Sequence, residues 1–146
     1  MSRKGLVKLI ATVVLVFAIA LSFFFVLRPY EMKVTDVNLG LGVEGNELEK
    51  LTDTFYENQY VSLTGYLSNP QDNIELYLEC YDSDNQFVEP NDMTDETLTE
   101  EDLFTEKFVF SYFPKENKWT VDNYRMKVIL NNKIVEVKEF EVVRSA

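Results

Sequence analysis

The sequence predicts an all-β domain, an antiparallel sandwich of about seven strands, preceded by a single N-terminal transmembrane helix. Three observations carry that expectation. Residues 9–27 form a run of nineteen without a charge. The body that follows alternates apolar and polar side chains with period two, broken by turn residues at intervals of about eight to twelve positions. Charge is segregated: residues 1–30 hold four basic groups and no acidic ones, whereas the remainder holds all twenty-five Asp and Glu against ten Lys and Arg.

The apolar run, LIATVVLVFAIALSFFFVL, is long enough at about 1.5 Å per residue to span about 28 Å, close to the hydrocarbon thickness of a bilayer. Leu9, Phe17, Phe24 and Leu27 mark it as the membrane anchor. It has no polar stripe to turn toward water, so a buried core helix is a poor reading. Arg3, Lys4 and Lys8 precede it and Arg28 follows, which places residues 1–8 in the cytoplasm and the acidic body outside. Arg28-Pro29-Tyr30 ends the helix, because proline disfavours helical geometry before it. The expected organisation is therefore a basic N-terminus (1–8), a signal-anchor helix (9–28), a juxtamembrane linker (29–32) and an extracytoplasmic domain (33–146) at the plasma membrane. Ala18-Ile19-Ala20 fits a small-residue cleavage pattern, and secretion after cleavage near Ala20 is the alternative. Cleavage there would leave an apolar FFFVL end on the product.

The body has the size of one domain. Its single cysteine, Cys80, permits no internal disulfide, so packing alone must stabilise it. Residues 32–41 predict a first strand with Val34, Val37, Leu39 and Leu41 apolar. In 60–67, Val61, Leu63 and Leu67 point inward and Tyr60, Ser62, Thr64 and Tyr66 outward. Asn69-Pro70-Gln71-Asp72 is a turn. In 74–81, Ile74, Leu76, Leu78 and Cys80 share one face, and Glu75, Tyr77, Glu79 and Tyr81 the other. A turn at 82–85 precedes a short strand at 86–88.

Residues 104–112 carry Phe104, Phe108, Phe110 and Tyr112 on one face. Residues 124–130 place Tyr124, Met126, Val128 and Leu130 inward, with Arg125 and Lys127 outward. Asn131-Asn132 suits a two-residue hairpin, since Asn tolerates positive φ. In 134–143 the apolar parity shifts, which predicts a bulge or a change of sheet near Lys138. Only 47–55 and 97–103 could be helical.

The C-terminal half, with Trp119, Tyr124, Met126, Val128, Leu130, Asn131, Phe140 and Val142, resembles the immunoglobulin-like domains of bacterial membrane-anchored and cell-surface proteins of unassigned function. Leu39-Gly40 and Thr54-Phe55 extend the resemblance over about residues 33–143. Cys80, in place of a large aromatic, and Asp122-Asn123, in place of a glycine, depart from the pattern. The resemblance implies an immunoglobulin-like sandwich.

Function is bounded mainly by exclusion. Without histidine, Ser-His-Asp and Cys-His catalysis and most zinc sites are closed, so no enzyme is expected. A strongly acidic body repels phosphate, and hence nucleic acid and anionic lipid. Seven carboxylates crowd residues 89–102. With Asp82 and Asp84, the residues Asp92, Asp95 and Glu96 are candidate Ca²⁺ ligands, since that ion takes clustered carboxylate oxygens. A solvated loop explains the same charges. Tyr60, Tyr66, Tyr77 and Tyr81 fall on outward parity and are candidates for binding a protein partner or a glycan. Ordinary cross-strand pairing explains them too. The reading is a non-catalytic anchored domain that mediates protein interaction or envelope assembly, with a Ca²⁺- or glycan-binding adhesion module as the alternative.

Overall fold

A computed structural model of the chain describes residues 2–27, 31–91 and 97–145. It divides into two compact units, Met1–Glu31 and Met32–Ala146.

The first unit is one helix, α1 (Arg3–Leu27). It begins before the uncharged run because Ser2 caps it: the Gly5 N–H donates to Ser2 Oγ at 3.2 Å, satisfying one of the first-turn donors. Its two hydroxyls bond back to the preceding turn, Thr12 Oγ1 to the Lys8 carbonyl and Ser22 Oγ to the Ala18 carbonyl, each at 2.9 Å. That arrangement leaves no hydroxyl in need of water. Residues 3–22 have a mean hydropathy of 2.4, and none of them is buried. The helix is thus long and apolar enough to cross a membrane. Leu9 and Phe17 are exposed on it, and Phe24 and Leu27 lie toward its C-terminal end. The predicted stop at Arg28, Pro29 and Tyr30 lies outside the described residues.

The second unit is all-β. Its described residues form nine strands: β1 (Lys33–Glu44), β2 (Glu47–Leu51), β3 (Thr54–Tyr56), β4 (Val61–Ser68), β5 (Leu76–Tyr81), β6 (Thr97–Asp102), β7 (Thr105–Tyr112), β8 (Asp122–Leu130) and β9 (Lys133–Val143). They make a five-stranded sheet, β2-β1-β4-β7-β6, and a four-stranded sheet, β3-β9-β8-β5. Val37, Leu39, Val61, Leu63, Leu67, Phe108, Phe110 and Tyr112 of the first sheet share one hydrophobic core with Phe55, Leu76, Leu78, Cys80, Tyr124, Met126, Val128, Phe140 and Val142 of the second. The arrangement is sandwich-like, and two inner faces alternating with polar outer positions are what the period-two pattern demands.

Several strands depart from the sequence expectation. The stretches 47–55 and 97–103, read as possible helices, form β2, β3 and β6 instead. All the pairings are antiparallel except β3 with β9, which is parallel. Phe104 does not join Phe108 in the core: it sits in the β6–β7 turn, 64% exposed. Residues 86–88 make an isolated bridge from Phe87 to Tyr81 rather than a strand. The bulge in β9 is at Val135, where the register shifts between Val128/Glu136 and Ile129/Ile134, not near Lys138. The phenylalanine at 140 stays inward because the register from Glu136 to Val142 is unbroken. A second bulge, in β1, lets Val34 and Val37 face the same side: Asp36 has a φ of 51° and the register shifts between Thr35 and Asn38.

The largest difference concerns the outer face of the five-stranded sheet. β1 pairs with β4 only as far as Gly40, and with β2 from Gly40 onward. At the tip of the β1–β2 hairpin, Asn46 Nδ2 donates to Thr99 Oγ1 of β6 at 2.9 Å. Glu47 Oε1 lies 4.0 Å from Lys107 Nζ of β7. β7 and β6 stand two and three places from β1 in the sheet, so the hairpin must cross over the sheet face to reach them. Ser62, Thr64 and Lys107, expected or available as solvent positions, are therefore buried. Ser62 and Ser111 hydroxyls bond one another there at 3.2 Å.

Candidate functional site

Two of the predicted site residues, Tyr77 and Tyr81, share the outer face of the four-stranded sheet. Its rows follow from the register: Tyr77–Ile129–Ile134, then Glu79–Lys127–Val137, then Tyr81–Arg125–Glu139. Ile134, Val137 and Tyr77 are exposed, whereas Ile129 beneath them is buried. Lys127 Nζ stands 4.2 Å from the centroid of the Tyr81 ring, a cation–π distance. The Tyr81 hydroxyl donates to Glu79 Oε2 at 2.7 Å. That hydrogen bond, more than burial, raises the Tyr81 phenol above its ordinary range. Its ring also meets Phe87 edge-on at 5.8 Å. The face combines apolar, cationic and anionic groups.

The four candidate tyrosines do not share that face. Tyr77 and Tyr81 lie on β5 of the four-stranded sheet. Tyr66 lies on β4 of the other sheet, with Lys107 Nζ 5.5 Å from its ring centroid. Tyr60 precedes β4 and stacks on Phe113 at 4.6 Å. Period-two parity is defined within a strand and cannot say which sheet a strand joins. The signal for the full surface was present in Arg125 and Lys127, whose outward parity was evident. Ile134 and Val137 join this face because the bulge lies at Val135, which sets Val137 on the outward parity opposite Lys127.

The Ca²⁺ candidates divide similarly. Asp92, Asp95 and Glu96 lie outside the described residues. Asp82 and Asp84 share the turn after β5, but the Asp82 carboxylate is turned to the backbone: Oδ1 accepts from the Asp84 and Gln86 N–H groups at 3.0 and 2.8 Å. This is the turn chemistry that favours Asp at such positions. Ser83 donates its hydroxyl to Asp122 Oδ2 at 2.8 Å, and that bond holds the Asp122 carboxyl below its ordinary value. Arg125 Nη2 donates to Asn85 Oδ1. The turn is thus tied to the start of β8, beside a cleft of about 490 Å³ lined by Asp84, Phe87, Glu89, Lys115 and Asp122 among others. Among the described residues, no group of three or more acidic or cysteine side chains is gathered as a metal site.

Beneath these surfaces aromatic residues pack against one another. Trp119 is fully buried and its Nε1–H donates to the Gln59 carbonyl at 2.9 Å. Its ring lies 5.0 Å from that of Tyr124 and 5.4 Å from that of Phe140. The Tyr124 hydroxyl donates to the Thr120 carbonyl at 2.5 Å. Cys80 is fully buried, and burial, with the charge of Asp82 second, pushes its thiol up. It therefore lacks the electropositive, accessible setting of a reactive thiolate. No protein-family model and no curated protein matches this sequence.

Proposed function

We propose that the chain is a single-pass, membrane-anchored extracytoplasmic protein whose immunoglobulin-like sandwich is non-catalytic and mediates protein interaction or assembly at the envelope or cell surface. The observation that carries the reading is the combination of one exposed apolar helix at the N-terminus with a separate all-β unit built on its own core. Tethering raises the effective concentration of a binding domain near a membrane partner, which suits a domain that performs no chemistry.

Three features support the immunoglobulin-like assignment. The sheet orders separate β1, β4, β7 and β6 from β5, β8 and β9, as the first, second, fifth and fourth strands separate from the third, sixth and seventh in such folds. β3 and β2 are then additions in the segment between the first and second of those strands. The Tyr124 hydroxyl bonds backbone four residues upstream at the start of β8, the position of the tyrosine corner. Trp119 packs between the sheets against Tyr112 and Phe140.

The interaction surface is the outer face of the four-stranded sheet, where Tyr77, Val137 and Ile134 lie among Lys127, Arg125 and Glu79. Carbonate extraction and external proteolysis of intact cells test the anchored topology. The chain is expected in the membrane pellet at full length, with its body cleaved by protease added outside. A carbonate-soluble chain, or one shortened to begin near Leu21, defeats the anchor. Photocrosslinking from position 137 in native membranes tests the surface: a discrete adduct that disappears with Lys127→Glu is expected, and no adduct counts against it.

A further inference from the structure

We propose that the end of the β domain carrying Leu103 and Phe104 inserts those side chains into the outer surface of the bilayer, so that the domain is docked on the membrane by a second, non-covalent contact. The inference rests on the anchored reading above and commits to a lipid surface as the occupant.

The strand register places the contact. Lys33, the first residue of β1, pairs with Ser68 of β4, and Ser68 pairs with Thr105, the first residue of β7. The β6–β7 turn is therefore at the end of the sheet from which the chain runs back to α1. The connections 69–75 and 131–132 are at the same end: the Asn69 N–H donates to the Phe104 carbonyl at 2.6 Å, and the Asn131 N–H to the Glu75 carbonyl at 2.8 Å. Residues 28–32 alone separate α1 from β1. Fully extended, that stretch reaches about 20 Å. The chain thus passes from α1 into the β domain at this end, through five residues.

The side chains at that end suit the role. Leu103 is 85% exposed and Phe104 64%, adjacent at the tip of one turn, and Ile134 beside the 131–132 turn is 56% exposed. The Phe104 backbone is already satisfied, its N–H by Asp102 Oδ1 at 2.8 Å and its carbonyl by Asn69. Phe104 can therefore leave water without orphaning its own backbone groups. The opposite end carries Asp82, Asp84, Glu116 and Asp122, and its exposed apolar residues, Tyr56, Tyr60, Phe87 and Val121, are not adjacent at the tip of one turn. Glu100, Glu101 and Asp102 flank the tip, so the contact is apolar and favours a zwitterionic surface over an anionic one. A tip of two side chains would bind free lipid weakly. Held by the anchor, it needs little affinity to remain engaged.

The full chain reconstituted in phosphatidylcholine vesicles provides the test. Leu103→Cys and Glu116→Cys variants are labelled with an environment-sensitive fluorophore, and the native chain, whose Cys80 is buried, gives the background. The label at 103 is expected to be quenched by lipids carrying a nitroxide near the headgroup and to be shielded from aqueous iodide. The label at 116 is expected to be quenched by iodide alone. A label at 103 open to iodide and untouched by the nitroxide lipids overturns the proposal. So does one shielded from both, which would mean that a second copy or another protein covers the tip. Flotation of the same preparation separates the two readings. A chain that fails to float with the vesicles removes the anchor and the docking together, whereas a floating chain with 103 in water removes the docking alone.

Discussion

Asn46 and Thr99 are hydrogen-bonded at 2.9 Å although fifty-three residues and two intervening strands separate them. This bond pins the β1–β2 hairpin across the face of its own sheet. Asn46→Ala should cost about 0.5–1.5 kcal/mol, the usual worth of one neutral hydrogen bond. The sharper readout is amide exchange, because loosening the hairpin uncovers β4 and β7 locally. Faster exchange at Ser62, Thr64 and Lys107, with a small drop in melting temperature, is expected. Unchanged exchange there would mean that the hairpin does not protect the face.

Gly65 and Phe108 form a tighter pair. They are cross-strand partners, and the Phe108 ring covers the glycine so closely that a β-carbon at 65 would fall 2.3 Å from Phe108 Cζ. Phe108 is fully buried, so its ring can make room only by displacing its core neighbours. Gly65→Ala should destabilise by about 1–3 kcal/mol, the ordinary range for overpacking. Combining it with Phe108→Leu should cost less than the sum of the two changes, since the second removes the clash. Urea denaturation of the two single variants and the double variant measures this. Strict additivity would contradict the contact.

Tyr124 and Trp119 fasten the far end of the core to backbone carbonyls rather than to other side chains. Tyr124→Phe keeps the ring stack on Phe140, at 5.3 Å, and removes only the bond to the Thr120 carbonyl. A loss of about 1 kcal/mol follows. Trp119→Ala removes a fully buried indole and leaves the Gln59 carbonyl unpaired, and about 3–5 kcal/mol is expected. Equal losses for the two variants in chemical denaturation would show that the hydroxyl, not the indole, organises this end.

The division between what was legible and what was not follows from the range of each signal. Alternation in 74–81 and 124–130 is local, and Leu76, Leu78, Cys80, Tyr124, Met126 and Val128 are buried as it predicts. Asn131-Asn132 forms the expected turn, with φ of 48° and 66°. The errors arise where tertiary structure decides. Ser62 and Thr64 have outward parity, yet a hairpin from elsewhere in the chain covers them. Residues 97–102 are acidic and weakly patterned, and they become a strand because β7 offers them an edge to pair with. The same limit explains the scattered tyrosines: parity fixes a face within a strand, and sheet assignment depends on pairing over long separations.

Alkaline pH should destabilise the β domain. Burial, with the charge of Asp122 second, pushes the Tyr124 phenol up to about 12. Burial is also the main cause that raises Tyr112, whose hydroxyl donates to the Val88 carbonyl, and Cys80. In the unfolded chain the thiol releases its proton near 9.0 and the phenols near 10.0. Above those values the folded form holds more protons than the unfolded one, so stability must fall as pH rises. Their contribution is complete below about pH 9 and is lost progressively toward about pH 12 and beyond. Urea midpoints should be level from neutral pH to that onset and then decline. Tyr124→Phe, starting lower, should decline less steeply, because it has one titrating proton fewer. Labelling of Cys80 by a thiol reagent should appear only along the same decline. A midpoint that holds to pH 12, or a thiol that reacts at neutral pH, would contradict the burial of these groups.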